Sequence, residues 1–303
     1  MKSEQLISAV GFFDGIHRAH AEIIRKMSDK AWDRGVVPSV VTFDTKFPTD
    51  LSGTRMRFLS PKESKTKLIH TYFPEVKVIF LEFNKGLSEM SPEDFVRTKL
   101  KSELNVSEVF VGEDFTFGKD AIGTAELLSG LIETTAVPLI TENGCKIGTT
   151  KVKLLLESGQ FDEAVSLLGH PFLLGGTVVH GDGRGHKIGL TTVNLPLSEE
   201  QFYPQQGVYV SLTEVDGCFY PSVTNLGKRP TFYENGICTN ETHILDETFD
   251  LYGKNIWVWL CQYIRPEKAF SNASLLIEQI KADSKFALDY LNCNYKKKGM
   301  YSV

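Results

Sequence analysis

Apolar positions along this chain follow two rhythms, and the change from one to the other falls near residue 160. In the first half, short apolar runs alternate with stretches whose apolar residues recur every three or four positions, the signature of strands alternating with amphipathic helices. Leu6-Ile7-Ser8-Ala9-Val10 predicts a buried strand, and Ile23, Ile24, Met27 and Ala31 after it predict a helix. Further strands are predicted at residues 36–43, 76–81, 109–111 and 137–140. Ser60-Pro61-Lys62-Glu63 and Ser91-Pro92-Glu93-Asp94 each read as a helix start, with Ser as N-cap and Pro at the first helical position. Phe95, Val96, Leu100 and Leu104 then supply an apolar helix face. Such alternation implies a parallel sheet covered by helices on both faces, with ligands at the carboxyl ends of its strands. Gly11 and Gly112 stand at two such ends.

A last helical piece (Phe161, Ala164, Val165, Leu168) stops at Gly169-His170-Pro171. From Phe172 onward the chain is rich in Gly, Val, Thr, Tyr and Phe. Alternating stretches at 176–179, 207–212, 219–223, 242–245 and 256–260 predict a small β-barrel. Leu276, Ile280, Ala287 and Leu291 share one face of a closing helix. The expected architecture is therefore an α/β domain with a Rossmann-like parallel sheet at 1–160 and a β-barrel domain with a C-terminal helix at 161–303. A chain of 303 residues lets each bury a core of its own.

Charge and cysteine usage narrow the setting. A net charge of −5 provides no broad basic field, which argues against nucleic acid as the main partner. Lys296-Lys297-Lys298 reads as a solvated tail. The five cysteines, Cys145, Cys218, Cys238, Cys261 and Cys293, are dispersed without metal-site spacing and fit reduced thiols. No signal-peptide pattern opens the chain and no apolar run is long enough to span a bilayer. The expected location is the cytoplasm, with no membrane partner; oligomeric state is not legible.

The candidate chemistry sits in the turns. Gly11-Phe12-Phe13-Asp14-Gly15-Ile16-His17-Arg18-Ala19-His20 joins the first strand to the first helix. That geometry aims N–H groups and the positive end of a helix at whatever occupies the turn. His17 and His20, three apart, share a face and can oppose charge building on phosphoryl oxygens. Gly112-Glu113-Asp114-Phe115-Thr116-Phe117-Gly118 can turn the chain under a ligand, with two Phe to flank an aromatic ring or simply to pack in the core. Thr149, Thr150 and Lys153 offer two hydroxyls and a cation at a helix start, a triphosphate cradle. In the second half, the glycine-dense loop holding Gly181, Gly185 and Lys187 can wrap phosphates with backbone N–H groups. Thr192 and Asn194, two apart on an extended chain, present hard oxygens on one side, as Mg²⁺ with ATP phosphates requires.

The ordered set of these motifs resembles the bacterial bifunctional riboflavin kinase/FAD synthetase (FMN adenylyltransferase) family, from about Ala9 to Asp283. The resemblance implies that the first domain transfers AMP from ATP to FMN, giving FAD and pyrophosphate. It also implies that the second phosphorylates riboflavin to FMN. His17 and His20 match the family's H-x-G-H signature, and Gly11, Phe12, Asp14 and Gly15 its ATP-binding turn. Asp114, Phe115 and Phe117 match its G-x-D-F-x-F-G flavin and nucleotide stretch, and Phe47 lies in the loop bordering the flavin. Thr149, Thr150 and Lys153 match the pyrophosphate signature. Gly181, Gly185 and Lys187 would hold the kinase ATP, Thr192 and Asn194 its Mg²⁺, and Glu241 would be the base on the riboflavin hydroxyl. Several positions depart from the pattern: Ala19 for Gly, Thr45 and Lys46 for Pro and His, Gly148 for Ser, Lys153 for Arg, and Thr191 for Pro. Two other readings stay open. In one, the barrel is inactive and only binds flavin or braces an FMN adenylyltransferase, as Thr191 and Val193 allow. In the other, the chain is a flavin- or nucleotide-sensing regulator.

Overall fold

A computed structural model of the chain describes residues 4–44, 56–142, 144–180, 192–196, 198–228, 238–245, 247 and 249–295. It divides into two compact units, Met1–Val152 and Lys153–Val303.

In the first unit, β1 (Leu6–Val10), β2 (Val37–Phe43), β3 (Lys77–Leu81), β4 (Val106–Gly112) and β5 (Glu133–Val137) form a parallel sheet in the order β3-β2-β1-β4-β5. Helices α1 (Arg18–Arg34), α2 (Lys62–Tyr72), α3 (Pro92–Asp94, continuing more widely wound over Phe95–Glu103) and α4 (Ala125–Leu131) lie between the strands. Every residue of β1 is buried, which is why its apolar run is unbroken. Its one hydroxyl, Ser8, meets Ser39 of β2 at 2.7 Å. The strand order reverses between β1 and β4, so the crevice beyond Val10 and Gly112 is the topological switch point. Phe95, Val96 and Leu100 of α3 pack with Val109, Val111 and Leu128 in the core.

Two local expectations change. The fifth strand is Glu133–Val137 and ends where the apolar stretch 137–140 begins. Pro138 has no N–H for a ladder, and in the edge strand before it only Val137 is buried, so its apolar signal is weak. Ser91 caps α3 as expected, accepting the Asp94 N–H at 3.1 Å. Ser60 does not cap α2; the N-cap there is Pro61, and Ser60 is turned into the protein interior.

In the second unit, α5 (Thr149–Glu157, begun in the first) and α6 (Phe161–Leu168) precede a six-stranded antiparallel sheet. Its strands are β6 (Phe172–Thr177), β7 (Thr192–Leu195), β8 (Gly207–Val215), β9 (Cys218–Lys228), β10 (Cys238–Ile244) and β11 (Asn255–Arg265), in the order β6-β11-β8-β9-β10-β7. The sheet curls into a half-barrel whose edges approach: just beyond β6, the Val179 N–H donates to the Asn194 carbonyl of β7 at 2.9 Å. Gly175 of β6 lies so close to the Trp257 ring that no Cβ fits between them. One face carries a fully buried hydroxyl ladder, with Ser211 to Thr224 at 2.8 Å and Thr224 to Thr242 at 2.9 Å. The opposite face meets α7 (Ala273–Asn294). There Asp283 receives Arg265 through Nε at 3.1 Å and Nη2 at 2.6 Å, a fork-on-carboxylate pair.

Candidate active sites

The turn after β1 is strained and heavily braced. Phe13 (φ 48°) and Ile16 (φ 44°) both adopt the left-handed conformation, the second against its β-branched side chain. Asp14 accepts the Ser60 N–H at 2.9 Å, and Ser60 Oγ in turn accepts the Gly15 N–H at 2.7 Å. Thr149 Oγ1 donates to the Asp14 carbonyl at 3.1 Å. The Phe12 carbonyl accepts from Thr42 Oγ1 at 3.0 Å and from the Lys65 ammonium at 2.6 Å. Strain held by this many partners is a mark of a functional turn.

Its product is the start of α1. His17 is the N-cap, its Nδ1 accepting the His20 N–H at 3.4 Å, so a neutral His17 carries its proton on Nε2. The two imidazoles stack with centroids 3.6 Å apart, and Phe13 meets His20 edge-on at 5.2 Å. Burial lowers the His20 pKa well below 6.5, with His17, Lys65 and Lys146 adding to the shift. His20 is therefore neutral at pH 7, and its Nδ1 is buried without a hydrogen-bond partner among the described residues.

A cavity of about 250 Å³ opens beside the histidines at the switch point. Gly11, Phe12, His17 and His20 line it from the β1 side, Asp114 and Phe115 from beyond β4, and Thr149 from the start of α5. Lys146 also reaches this wall and pairs with Asp114. Asp14 and Gly15 are buried behind the wall, where they hold the turn's shape. Phe117, expected beside an aromatic ligand, instead belongs to the core: it is 8% exposed and sits 5.9 Å from Phe95. The two rings, two residues apart and so on one side of the chain, stack at 5.6 Å, with Phe115 on the cavity wall and Phe117 behind it against the core. Thr150 is exposed and absent from the wall, and the Lys153 ammonium lies 5.9 Å over the Phe202 ring. Phe47, with Thr45 and Lys46, lies outside the described residues. Sequence reasoning missed Ser60, Lys65 and Lys146. Lys65 sits among Lys62, Lys67 and Thr66, and nothing in that polar run marks it as fully buried.

A second cavity, about 400 Å³, lies on the α7 side of the half-barrel. Strand register assembles it: Asn194 of β7, Glu241 of β10 and Asn225 of β9 fall in one row, and Thr192 and His243 in the next. Thr192, Asn225, Glu241, His243 and Arg265 line the cavity, and Asn194 shares their half-buried face directly opposite Glu241. Asn225 Nδ2 donates to Glu267 at 2.9 Å, while its Oδ1 is buried with no donor among the described residues, an acceptor available to a ligand. Gly181, Gly185 and Lys187 lie outside the described residues, as does Thr191.

A switch-point cavity with a histidine-capped helix start, joined in one chain to a half-barrel with a carboxylate-and-amide cavity, defines a two-domain transferase that works on phosphoryl groups. A family model described as FAD synthetase matches residues 1–153, and one described as riboflavin kinase matches residues 168–291. The bifunctional riboflavin kinase/FMN adenylyltransferase of Bacillus subtilis is 33% identical over 303 aligned residues, covering 96% of this chain and 95% of the relative. That of Listeria monocytogenes is 32% identical over 91% of this chain and 90% of its own length. A crystal structure described as a macrolide-efflux protein from Streptococcus pneumoniae superposes with a TM-score of 0.79 at 28% identity, covering 97% of this chain and 95% of that one. Among the described residues of this chain, no helix is long and apolar enough to cross a membrane. The chain belongs to the bifunctional riboflavin kinase/FMN adenylyltransferase family.

Proposed function

We infer that this chain makes FAD from riboflavin in two ATP-dependent steps, one in each half. In the second half, the riboflavin 5′-hydroxyl takes the γ-phosphoryl group of ATP, giving FMN and ADP. In the first half, a phosphate oxygen of FMN attacks the α-phosphorus of another ATP, giving FAD and pyrophosphate. The hand-over between the activities is placed at residues 160 and 161, past the helix carrying Thr149, Thr150 and Lys153. The observation that carries the adenylyl transfer is the stacked His17–His20 pair on the wall of the switch-point cavity.

Adenylyl transfer needs alignment and charge stabilisation more than covalent help, because the FMN phosphate is already a nucleophile. His17, through Nε2–H, and neutral His20 serve as hydrogen-bond donors to the α-phosphate oxygens as their charge grows. Gly11, Phe12 and Thr149 shape the ATP side, with Lys146 adding charge; Asp114 and Phe115 border the flavin. Thr150 and Lys153, which lie off the wall of this cavity, are the hydroxyl and cation that the family's signature assigns to the departing pyrophosphate. In the kinase step Glu241 takes the proton of the riboflavin hydroxyl. Thr192 and Asn194 fit Mg²⁺ by donor type, one hydroxyl and one amide oxygen beside Glu241, and the ion would neutralise ATP phosphate charge there. Small-molecule substrates without nucleic acid suit the net charge of −5. Cys145, Cys218, Cys261 and Cys293, free thiols among the described residues, support a cytoplasmic setting. Incubating the protein with riboflavin and Mg-ATP, and separating riboflavin, FMN and FAD over time, tests the reading: FMN is expected first and FAD after it. A parallel incubation from FMN isolates the second step.

A further inference from the structure

Lys65 is the one lysine among the described residues with no measurable exposure, and it makes no direct ion pair there. It projects from α2 to the underside of the Gly11-Phe12-Phe13 turn, where its ammonium donates to the Phe12 carbonyl at 2.6 Å and to Thr42 Oγ1 at 3.2 Å. Thr42 alone already satisfies that carbonyl, so the extra contribution of Lys65 is a positive charge in a dry place. Burial pulls its pKa down to about 8 despite the opposing pull of Asp14 and Asp44. The trans Phe12–Phe13 peptide points its N–H opposite to its C=O, so fixing the carbonyl on Lys65 fixes the Phe13 N–H on the other side. Phe13 is 2% exposed, lines the cavity, and its N–H has no acceptor among the described residues.

We propose that Lys65 is a positioning residue for adenylyl transfer: from behind the wall it locks the Phe12–Phe13 peptide so that the Phe13 N–H is offered to a phosphate of ATP. The same ammonium adds to the field that keeps His20 neutral and ready to donate rather than already charged. This rests on the reading of the first cavity as the FMN adenylyltransferase site. Lys65 touches neither substrate, and it acts through backbone geometry and through charge.

The test is K65M, which keeps the length and apolar stem of the side chain, with T42V as a second variant. Both are assayed for FAD formation from FMN and for FMN formation from riboflavin. K65M is expected to lower kcat for FAD formation by about a hundredfold, the scale of a misplaced reactive geometry. KM for FMN and the riboflavin kinase rate should stay within about twofold of the parent, the pattern of an interaction lost in the transition state of adenylyl transfer alone. T42V, which removes one donor to Phe12 and one anchor for Lys65, is expected to lower the same kcat several-fold. A folded K65M protein with unchanged kcat overturns the proposal, as does one in which both activities fall together. If K65M does not fold, T42V decides, and an unchanged kcat there overturns it. A parent protein that makes no FAD from FMN counts against the functional reading instead.

Discussion

Burial sets the protonation of two bases beside the first cavity, and each has a measurable consequence. His20 stays neutral through the physiological range because burial, His17 and the nearby lysines all disfavour its cation. A neutral imidazole can still donate a hydrogen bond to a phosphoryl oxygen. H20A removes that donor and is expected to cut FMN-to-FAD conversion by about a hundredfold or more, the scale of losing one transition-state donor. Riboflavin-to-FMN conversion should persist, and product separation from the two substrates reads both. Lys65 carries the stability signature of a group kept for function. Its folded-state pKa, about 8, lies below its ordinary 10.5, so between those values the unfolded chain holds a proton that the folded one has shed. Stability from this group is therefore present above pH 10.5 and lost as pH falls through about 8. The gap corresponds to about 3 kcal/mol. Denaturant unfolding of the parent and of K65M at pH 7 and pH 10.5 should show the difference between them shifting by about that much in favour of the parent at the higher pH. A pH-independent difference would mean that Lys65 is not a destabilised buried cation.

Element boundaries show where local pattern ends and tertiary structure begins. Ser60-Pro61 and Ser91-Pro92 are written alike, and only Ser91 caps its helix. Ser60 is claimed by Gly15 and Asp14, some 45 residues earlier in the chain, and no window along the sequence contains that partnership. The same holds for Lys65, a helix residue in a polar run that meets the Phe12 carbonyl 53 residues away. Strands with continuous apolar runs, β1 and β2, were legible because both their faces are covered. The edge strand β5 was not, since its Glu133, Thr134 and Thr135, exposed or only half-buried, carry no apolar period. The two serines turn this into a prediction. S60A removes the hydroxyl that accepts the buried Gly15 N–H, a loss of about 1–3 kcal/mol. It should also lower FAD synthesis, because the turn that seats the histidines loosens. S91A costs about 1 kcal/mol as a lost cap and leaves both activities in place. Urea unfolding with paired activity assays separates the two.

Across the whole molecule, the apolar rhythm changes near residue 160, whereas the two compact units of the structure divide between Val152 and Lys153. The order of motifs in the second half was legible, but the row that joins Asn194, Glu241 and Asn225 was not, because register between strands is set by sheet pairing. No described residue lines both cavities. On the proposed assignment each reaction has its own walls, and FMN, the product of one and the substrate of the other, is a small molecule that can leave the first site before it enters the second. A chain disabled in one half should then be rescued by a chain disabled in the other. E241Q removes the carboxylate proposed as the base of the kinase step while keeping the shape of its side chain, and is expected to leave riboflavin unconverted yet make FAD from supplied FMN. H20A is expected to turn riboflavin into FMN and stop there. Mixed with riboflavin and Mg-ATP, the two proteins should make FAD, with FMN appearing transiently and the lag shortening as H20A is increased. FAD from the mixture without free FMN would point to transfer between sites in contact. No FAD from the mixture, with each single variant behaving as expected, would mean that FMN passes only within one chain and that the two halves do not work as independent catalysts.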